Sequence, residues 1–275
     1  MFASNLFEGQ RVLITGGGTG IGASIGRRLV SLGARLIVCG RREAVLAEFA
    51  ASVEGDVTTY VCDIRDPEAV DGMLTSIWDT GPLDALVNNA AASFIARTEQ
   101  LSARAADAIL GVTMHGAMYC TLGVGRRWIE AGRGGTVLSI LSTSIRTGRA
   151  FTVPSAMAKS AVQAMTRSLA VEWGPHGIRL VGIAPGPFPT AGAGAGLDPT
   201  GSRATARLNP LGRVGDHDEL ANLAAYLLSR HAGYINGEVI AIDGGQHLRT
   251  SGAEDLLQWT EAQWQAAAAR RGRRA

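Results

Sequence analysis

Short apolar runs rich in β-branched residues alternate along this chain with longer stretches whose apolar positions recur at helical spacing. The short runs predict buried strands, and the longer stretches predict amphipathic helices. The predicted strands are Arg11–Thr15, Arg35–Cys39, Val57–Cys62, Ala85–Ala90, Gly135–Leu141, Ile178–Ala184 and Glu238–Asp243. The predicted helices are Gly20–Leu32, Arg42–Val53, Pro67–Asp79, Leu101–Glu130, Ala156–Trp173 and Asp218–Ser229.

Uninterrupted alternation of strand and helix predicts an α/β fold. Right-handed crossovers then give a Rossmann-type, doubly wound parallel sheet of seven strands with helices on both faces. No linker composition and no internal repeat interrupts the order, so we expect a single domain over residues 1–275. A Gly-, Ala- and Pro-rich segment at about 187–212 follows a strand and is expected to cover a substrate. A C-terminal helix with an Arg-rich tail is expected at about 259–275.

The composition excludes several classes of protein. With 46% hydrophobic and 18% charged residues, the chain is not globally disordered. A net charge of +2 provides no field for nucleic acid or an anionic membrane. The 3 cysteines form no CxxC motif, so we expect no metal site and a reducing compartment. Neither a signal peptide nor an apolar run long enough to span a membrane is recognisable, and the expected location is cytoplasmic.

The basic residues are distributed unevenly between the two types. Lys159 is the one lysine among 26 basic residues, and all the others are arginines. Such a skew reflects base composition, which makes the surviving lysine a candidate for a specific role.

A glycine-rich turn, TGGGTGIG, joins the first predicted strand to the first predicted helix. Glycines let the backbone approach a pyrophosphate closely, and the helix N-terminus offers free N–H groups to the phosphates. A glycine turn without a ligand is the alternative, but the strand–helix context favours dinucleotide binding. The candidate residues are Thr15, Gly16, Gly18, Thr19, Gly20, Ile21 and Gly22.

The end of the second strand bears on the choice of dinucleotide. An NAD site places an acidic residue there to hold the ribose 2′-hydroxyl, whereas this chain has Arg41 and Arg42, which suit a 2′-phosphate. We therefore predict NADPH; the alternative is that both arginines begin a solvated helix. Asp63 is predicted to accept a hydrogen bond from the adenine amino group, or else to cap the following helix.

Several motifs occur in a fixed order: TGGGTGIG, NNAA, Ser142, Lys159, a Pro-Gly after the sixth strand and a late DGG. Over residues 7–247 this order resembles the short-chain dehydrogenase/reductase family. That family's site has a serine, then Tyr-x-x-x-Lys, and an asparagine on the preceding helix. Ser142 and Lys159 match it, but Ser155 stands at the tyrosine position and Thr113 at the asparagine position. Because a serine hydroxyl is far less acidic than a phenol (pKa about 10), alcohol–ketone interconversion is disfavoured.

A narrower resemblance accounts for the missing tyrosine. The segments PSAMAK, PGPFPT, LDPTG and NNAAASFI look like the 2,4-dienoyl-CoA reductase subgroup, which has Pro-Ser-x-x-x-Lys. The resemblance implies hydride transfer to a C=C bond conjugated with a thioester, and an enolate that needs hydrogen-bond donors. Ser144 and His115 stand where the subgroup has its oxyanion tyrosine and asparagine. Alternatively, Ser144 is only a loop hydroxyl, and His115 packs against a neighbouring subunit.

The same resemblance assigns further roles. It implies an acyl-CoA substrate, a homotetramer packed through helices at about 101–130 and 154–174, and lysine contacts to the nicotinamide ribose. A carbonyl or imine reductase with an unusual proton donor, and an inactive nucleotide-binding sensor or scaffold, are the competing functions. The catalytic candidates are Lys159, Ser155, Ser142, Ser144 and His115. Beyond the turn and the arginines, the cofactor candidates are Asp63, Ile64, Asn89, Ala90, Ala91, Lys159, Pro185, Gly186, Phe188 and Thr190.

Overall fold

The computed structural model describes residues 2–190, 209–249, 256 and 258–272. As predicted, seven parallel strands form one sheet. The strands are β1 Arg11–Thr15, β2 Arg35–Gly40, β3 Val57–Val61, β4 Ala85–Asn88, β5 Gly135–Ile140, β6 Ile178–Pro185 and β7 Val239–Ile242. Their order in the sheet is β3-β2-β1-β4-β5-β6-β7. The order reverses between β1 and β4, which in this type of sheet opens a crevice at the carboxyl ends of the strands.

Helices cover both faces of the sheet. The described helices are α1 Gly20–Val30, α2 Glu43–Ala51, α3 Pro67–Asp79, α4 Ala103–Leu110, α5 Gly116–Glu130, α6 Ser144–Thr147, α7 Val153–Glu172, α8 His217–Leu228 and α9 Glu261–Gly272. Thus α9 falls within the predicted C-terminal helix. The predicted substrate loop, including LDPTG, and the end of the Arg-rich tail lie largely outside the described residues.

Alternation along the strands divides the core between the two faces. In β1, Val12 and Ile14 point to one face, where α1, α2 and α8 pack, and Leu13 points to the other, where α3, α5 and α7 pack. Trp128 is fully buried on the second face, and its indole N–H donates to the Leu83 carbonyl at 2.7 Å. Burial on both faces explains the near-continuous apolar strands.

Several predicted element boundaries differ from the structure by a few residues. The strand predicted to end at Ala90 ends at Asn88, because the next residues turn toward β1. The helix predicted from Ala156 begins at Val153, with Pro154 in its first turn, where a missing N–H costs nothing. The helix predicted over Leu101–Glu130 begins at Ala103 and contains a π-helical turn at Gly111–His115.

The glycines of this long helix pack within the chain. A Cβ at Gly116 would lie 2.5 Å from Ile64 Cδ1, and one at Gly123 would lie 2.6 Å from Leu74 Cδ1. The two glycines therefore let the helix approach α3 and the segment between β3 and α3.

The same helix, Ala103–Glu130, is long and apolar enough to cross a bilayer by length and composition alone. Its Cys120, Val124 and Trp128 side chains are fully buried within the core. Its apolar character is thus explained by packing on the sheet, as for other core helices.

Candidate active site

The turn between β1 and α1 is built for close approach. Gly16 and Gly20 have φ angles of +65° and +55°, which side-chain-bearing residues rarely adopt. Thr19 stands at the N-cap of α1 but makes no side-chain capping bond, and the first turn holds no acidic residue. The N-terminal N–H groups of α1 are therefore open to an anion such as a phosphate.

Asn89 and Thr15 join the carboxyl ends of β4 and β1. The Asn89 amide donates to the carbonyls of Thr15 at 2.9 Å and Gly16 at 3.1 Å. The Thr15 hydroxyl accepts from the backbone N–H groups of Asn89 and Ala90, each at 3.1 Å. A Cβ at Gly22 would lie 2.4 Å from Asn89 Nδ2, so only glycine fits there without displacing the amide.

The predicted specificity residues lie at the ends of β2 and β3. Arg41 and Arg42 are exposed, and neither forms an ion pair within the described part of the chain. Asp63 is paired with the Arg65 guanidinium, whose hydrogen bonds hold the pKa of the Asp63 carboxyl below its ordinary value. The capping alternative for Asp63 is wrong, because Asp66 caps α3.

Lys159 is buried, with 8% of its surface exposed. Its Nζ donates to the Ile140 carbonyl at the end of β5, at 2.5 Å. Burial lowers the pKa of this lysine from 10.5 to about 8, because removal from water disfavours the charged form. This bond holds α7 against the carboxyl edge of the sheet, because Ile140 is the last residue of β5 and lies two residues before Ser142.

Three serines surround this edge. Ser155 is half-buried one helical turn before Lys159 on α7, so the two share a helix face. Ser144 is buried as the first residue of α6, and its N–H donates to Ser142 Oγ at 3.3 Å. The turn after β5 therefore holds Ser142 and Ser144 together, beside the strand end to which Lys159 is bonded.

The π-helical turn carries Thr113 and His115. The buried Thr113 hydroxyl accepts from the Ala92 N–H at 3.0 Å, which joins the turn to the segment after β4. His115 is half-buried, and its Nδ1 lies 3.4 Å from the Tyr119 hydroxyl. A π-turn inside a helix often marks a functional site. We predicted no role for Tyr119, yet this tyrosine contacts a candidate oxyanion donor.

The segment Pro185–Thr190 passes over the phosphate turn. The Gly186 N–H donates to the Ile242 carbonyl at 2.9 Å, and a Cβ at Gly186 would lie 2.6 Å from Asp243 Cβ. At the other end of the segment, the Thr190 methyl lies 3.1 Å from where a Cβ of Gly20 would be. The segment thus reaches the N-terminus of α1, the expected position of a diphosphate.

A second network supports the turn that carries Ser144. Burial alone would raise the pKa of Asp243, but hydrogen bonds from His247 outweigh it and lower that pKa. His247 Nδ1 donates to Asp243 at 2.7 Å, and its Nε2 accepts from Arg146 at 3.1 Å. Arg146 also donates to the Val239 carbonyl at 3.1 Å. The network ties α6 to β7 and the DGG turn.

The carboxyl edge thus gathers the phosphate turn, Asn89, Lys159, Ser142, Ser144 and the segment after β6. A smaller groove at this edge is lined by Pro187, Phe188 and Asp243, whereas another lies at the opposite edge of the sheet. The latter, of about 640 Å³, lies at the amino ends of the strands, lined by residues that include Asp84 and Arg179. Both are already hydrogen-bonded within the chain. No group of three or more metal-ligating side chains occurs within the described ranges.

Comparison of the chain with known proteins identifies its family. A family model described as enoyl-(acyl carrier protein) reductase matches residues 16–247. The chain belongs to the short-chain dehydrogenase/reductase family. Proteins of this family use a nicotinamide cofactor, NAD(H) or NADP(H), and the open N-terminus of α1 and the glycine turn fit its diphosphate.

Named relatives include reductases of unsaturated acyl-CoA. A probable 2,4-dienoyl-CoA reductase of Caenorhabditis elegans, named as (3E)-enoyl-CoA-producing, is 37% identical over 94% of this chain and 88% of its own. One of Bacillus subtilis, named as (2E)-enoyl-CoA-producing, is 38% identical over 88% of this chain and 98% of its own. A crystal structure of a short chain dehydrogenase from Bacillus anthracis superposes with a TM-score of 0.84 at 36% identity, covering 90% of this chain and 99% of that one.

Replacement of Gly22 by alanine tests the phosphate turn. The added methyl group collides with the Asn89 amide and lies 2.7 Å from the Gly16 carbonyl. We expect Gly22→Ala to destabilise the fold by about 1–3 kcal/mol and to weaken dinucleotide binding roughly tenfold. Isothermal titration and thermal unfolding measure the two effects. The matched control is Gly72→Ala on α3, where a Cβ meets nothing within 4 Å and binding should not change.

Lys159→Met tests the cost of burying the ammonium. The pKa of about 8 in the folded chain lies below the ordinary 10.5, so the charged lysine destabilises the fold at pH 7. Without cofactor, we expect the variant to be more stable by about 2 kcal/mol at pH 7. This gain should shrink as pH rises from about 8 toward 10.5, because the wild-type lysine loses its proton. A variant less stable than wild type at pH 7 would contradict the assignment.

Proposed function

We propose that the chain is an NADPH-dependent reductase of a C=C bond conjugated with a thioester, acting on a 2,4-dienoyl-CoA or an enoyl-CoA. The observation that carries the proposal is Ser155, which stands one helical turn before the buried Lys159 where the family places a phenol. A carbonyl reduction needs an acid at the nascent alkoxide, whereas reduction of a conjugated C=C bond places its charge on the thioester oxygen.

The proposed reaction needs hydrogen-bond donors more than an acid. When bound, NADPH would supply a hydride, and the substrate would receive it at the carbon of the conjugated system remote from the thioester. The π-electron pair of that system then shifts toward the carbonyl and forms an enolate. A proton from water adds to carbon and completes the reduction, so the product gains one hydride and one proton.

Lys159 supplies positive potential near the reacting groups. Its ammonium is bonded to the Ile140 carbonyl in a site nearly closed to solvent, where electrostatic interactions are stronger than in water. We assign it to the nicotinamide ribose hydroxyls. Ser155, on the same helix face, is assigned to donate toward the nicotinamide side of the pocket, as is Ser142 on the turn after β5.

Ser144 and His115 are the proposed oxyanion donors. Ser144 is buried as the first residue of α6, and His115 ends the π-helical turn. A donor aimed at a developing negative charge is worth about 10²–10³ in rate when the site excludes water. The Tyr119 hydroxyl lies 3.4 Å from His115 Nδ1, and where it donates to Nδ1, the hydrogen of the neutral ring is on Nε2 and is available for donation.

The preference for NADPH rests on Arg41 and Arg42. Both guanidinium groups are exposed without an ion pair to the described residues, just beyond β2 and beside the adenosine end of the expected cofactor. A ribose 2′-phosphate would give them a partner that a 2′-hydroxyl does not. Asp63, Ile64, Ala90 and Ala91 complete the proposed adenosine side.

An acyl-CoA substrate, a homotetramer and a cytoplasmic location complete the proposal. The relatives named as 2,4-dienoyl-CoA reductases support the acyl-CoA. A single domain over residues 1–275 also stays a prediction, supported by the one sheet that carries the described elements.

Turnover of an unsaturated acyl-CoA tests the activity directly. The purified protein should oxidise NADPH when given a 2,4-dienoyl-CoA, and Ser144→Ala should lower kcat by about tenfold or more through loss of an oxyanion donor. Loss of NADPH absorbance and chromatography of the acyl-CoA products measure both. The matched control is Ser160→Ala, because Ser160 is exposed on α7 beside Lys159.

The other functions give different results in that assay. Reduction of ketones or imines without reduction of unsaturated thioesters would identify a carbonyl or imine reductase. Binding of NADPH without hydride transfer to any of these substrates, with Lys159→Ala tolerated in the cell, would identify a sensor or scaffold. Either result would overturn the proposed reaction.

The double variant Arg41→Ala/Arg42→Ala tests the cofactor preference. Loss of charge-assisted hydrogen bonds to a 2′-phosphate should raise the Kd for NADPH by about 10–100-fold, while the Kd for NADH changes little. Fluorescence titration with each cofactor measures this. Arg35→Ala, at the opposite end of β2, is the matched control. Tighter binding of NADH than NADPH by the wild-type protein would refute the preference.

A further inference from the structure

His217 links three parts of the chain that are distant in sequence. It is the first residue of α8, following the Asp216 cap. Its Nδ1 lies 2.8 Å from the Ser24 hydroxyl on α1, and its Nε2 lies 2.8 Å from the Pro189 carbonyl in the segment after β6. One side chain therefore bridges the first helix, the eighth helix and the segment that reaches the phosphate turn.

Hydrogen-bond chemistry determines which ring nitrogen donates. A carbonyl oxygen only accepts, so His217 Nε2 carries a hydrogen and donates to Pro189. Nδ1 lies within hydrogen-bond distance of Ser24 Oγ, on the other side of the ring. Ser24 Oγ also lies 3.1 Å from the Gly20 carbonyl, in the first turn of α1. The bridge thus reaches the turn whose N–H groups face the expected diphosphate.

The bridged segment is attached elsewhere mainly through its backbone. The Gly186 N–H donates to Ile242 and the Gly215 N–H to the Pro187 carbonyl, each at 2.9 Å. The Phe188 ring fills the space beside Gly215, where a Cβ would lie 2.3 Å from Phe188 Cζ. His217 contacts the segment beyond these attachments, immediately before Thr190.

The position of Thr190 gives the bridge a consequence for binding. Its methyl group lies against Gly20, at the N-terminus of α1. A dinucleotide whose diphosphate bound the open N–H groups of this turn would lie beside Thr190, which is therefore placed to contact it. The distance between the segment and α1 therefore sets how well the diphosphate and the nicotinamide half are held together.

We propose that His217 is a positioning residue for the cofactor, holding Pro189 and Thr190 against the first turn of α1 so that the nicotinamide half of the dinucleotide is bound. The inference rests on the nicotinamide site and not on the proposed substrate. It requires no contact between His217 and the reacting atoms. The adenosine half, beyond β2 and β3, lies outside its reach.

The test compares an intact dinucleotide with its adenosine fragment. For His217→Ala, the Kd for NADPH should rise roughly tenfold, as expected for losing two hydrogen bonds of about 1 kcal/mol each. The Kd for 2′,5′-ADP, which lacks the nicotinamide half, should stay within about twofold of wild type. Isothermal titration of the full chain measures both without any turnover, so failure of the proposed reductase activity leaves this test intact.

Three further variants separate positioning from folding. His217→Gln retains an amide N–H that can reach Pro189 and should recover part of the NADPH affinity. Ser24→Ala should weaken NADPH binding, and the double variant with His217→Ala should show non-additive losses, because the two side chains form one bridge. His231→Ala, an exposed histidine beyond the end of α8, is the matched control and should bind as wild type.

Two results would overturn the inference. Unchanged NADPH affinity in His217→Ala would show that the bridge does not position the cofactor. Equal losses for NADPH and for 2′,5′-ADP, together with a lower unfolding temperature, would assign His217 a purely structural role.

Discussion

The buried ammonium of Lys159 is the constraint on which the site depends. Its bond to the Ile140 carbonyl holds α7 to the end of β5, at the edge where the other candidate groups meet. Burial lowers its pKa to about 8, so the charge is maintained at neutral pH at a cost in stability. A group retained at such a cost, in a chain with one lysine, is best explained by the positive potential it provides.

The serines at positions 155 and 144 determine what this potential can be used for. Neither hydroxyl has the acidity of a phenol, so the site is poorly suited to protonate an alkoxide as it forms. Hydrogen-bond donation toward a delocalised oxygen requires only position and exclusion of water. The hydrogen bonds around Ser144 supply position, through Ser142 on one side and through Arg146, His247 and Asp243 on the other. A member of this family that lacks the tyrosine is therefore compatible with reduction of an unsaturated thioester.

Local features of this site could be predicted from sequence, and long-range ones could not. The phosphate turn and the seven parallel strands follow from glycine spacing and apolar runs, which are properties of neighbouring residues. The His217–Ser24 bridge joins residues 193 apart, and the Arg146–His247 bond joins residues 101 apart. No local pattern signals either pair. Sequence likewise does not reveal that Ile64 and Leu74 lie against Gly116 and Gly123. The DGG motif next to His247 was the one available signal for the second network.

The central claim is that the site stabilises an enolate by hydrogen bonds, without a phenol. An isotope-labelling experiment with the wild-type protein tests it most directly. NADPH deuterated at its transferable position is incubated with a 2,4-dienoyl-CoA in ordinary water. The position of the deuterium in the product is then determined by NMR and mass spectrometry. The account predicts one deuterium on the carbon of the former diene remote from the thioester, one hydrogen from water on another chain carbon, and no hydroxyl product. Deuterium on a carbinol carbon of an added ketone, with the acyl chain left unlabelled, would contradict it.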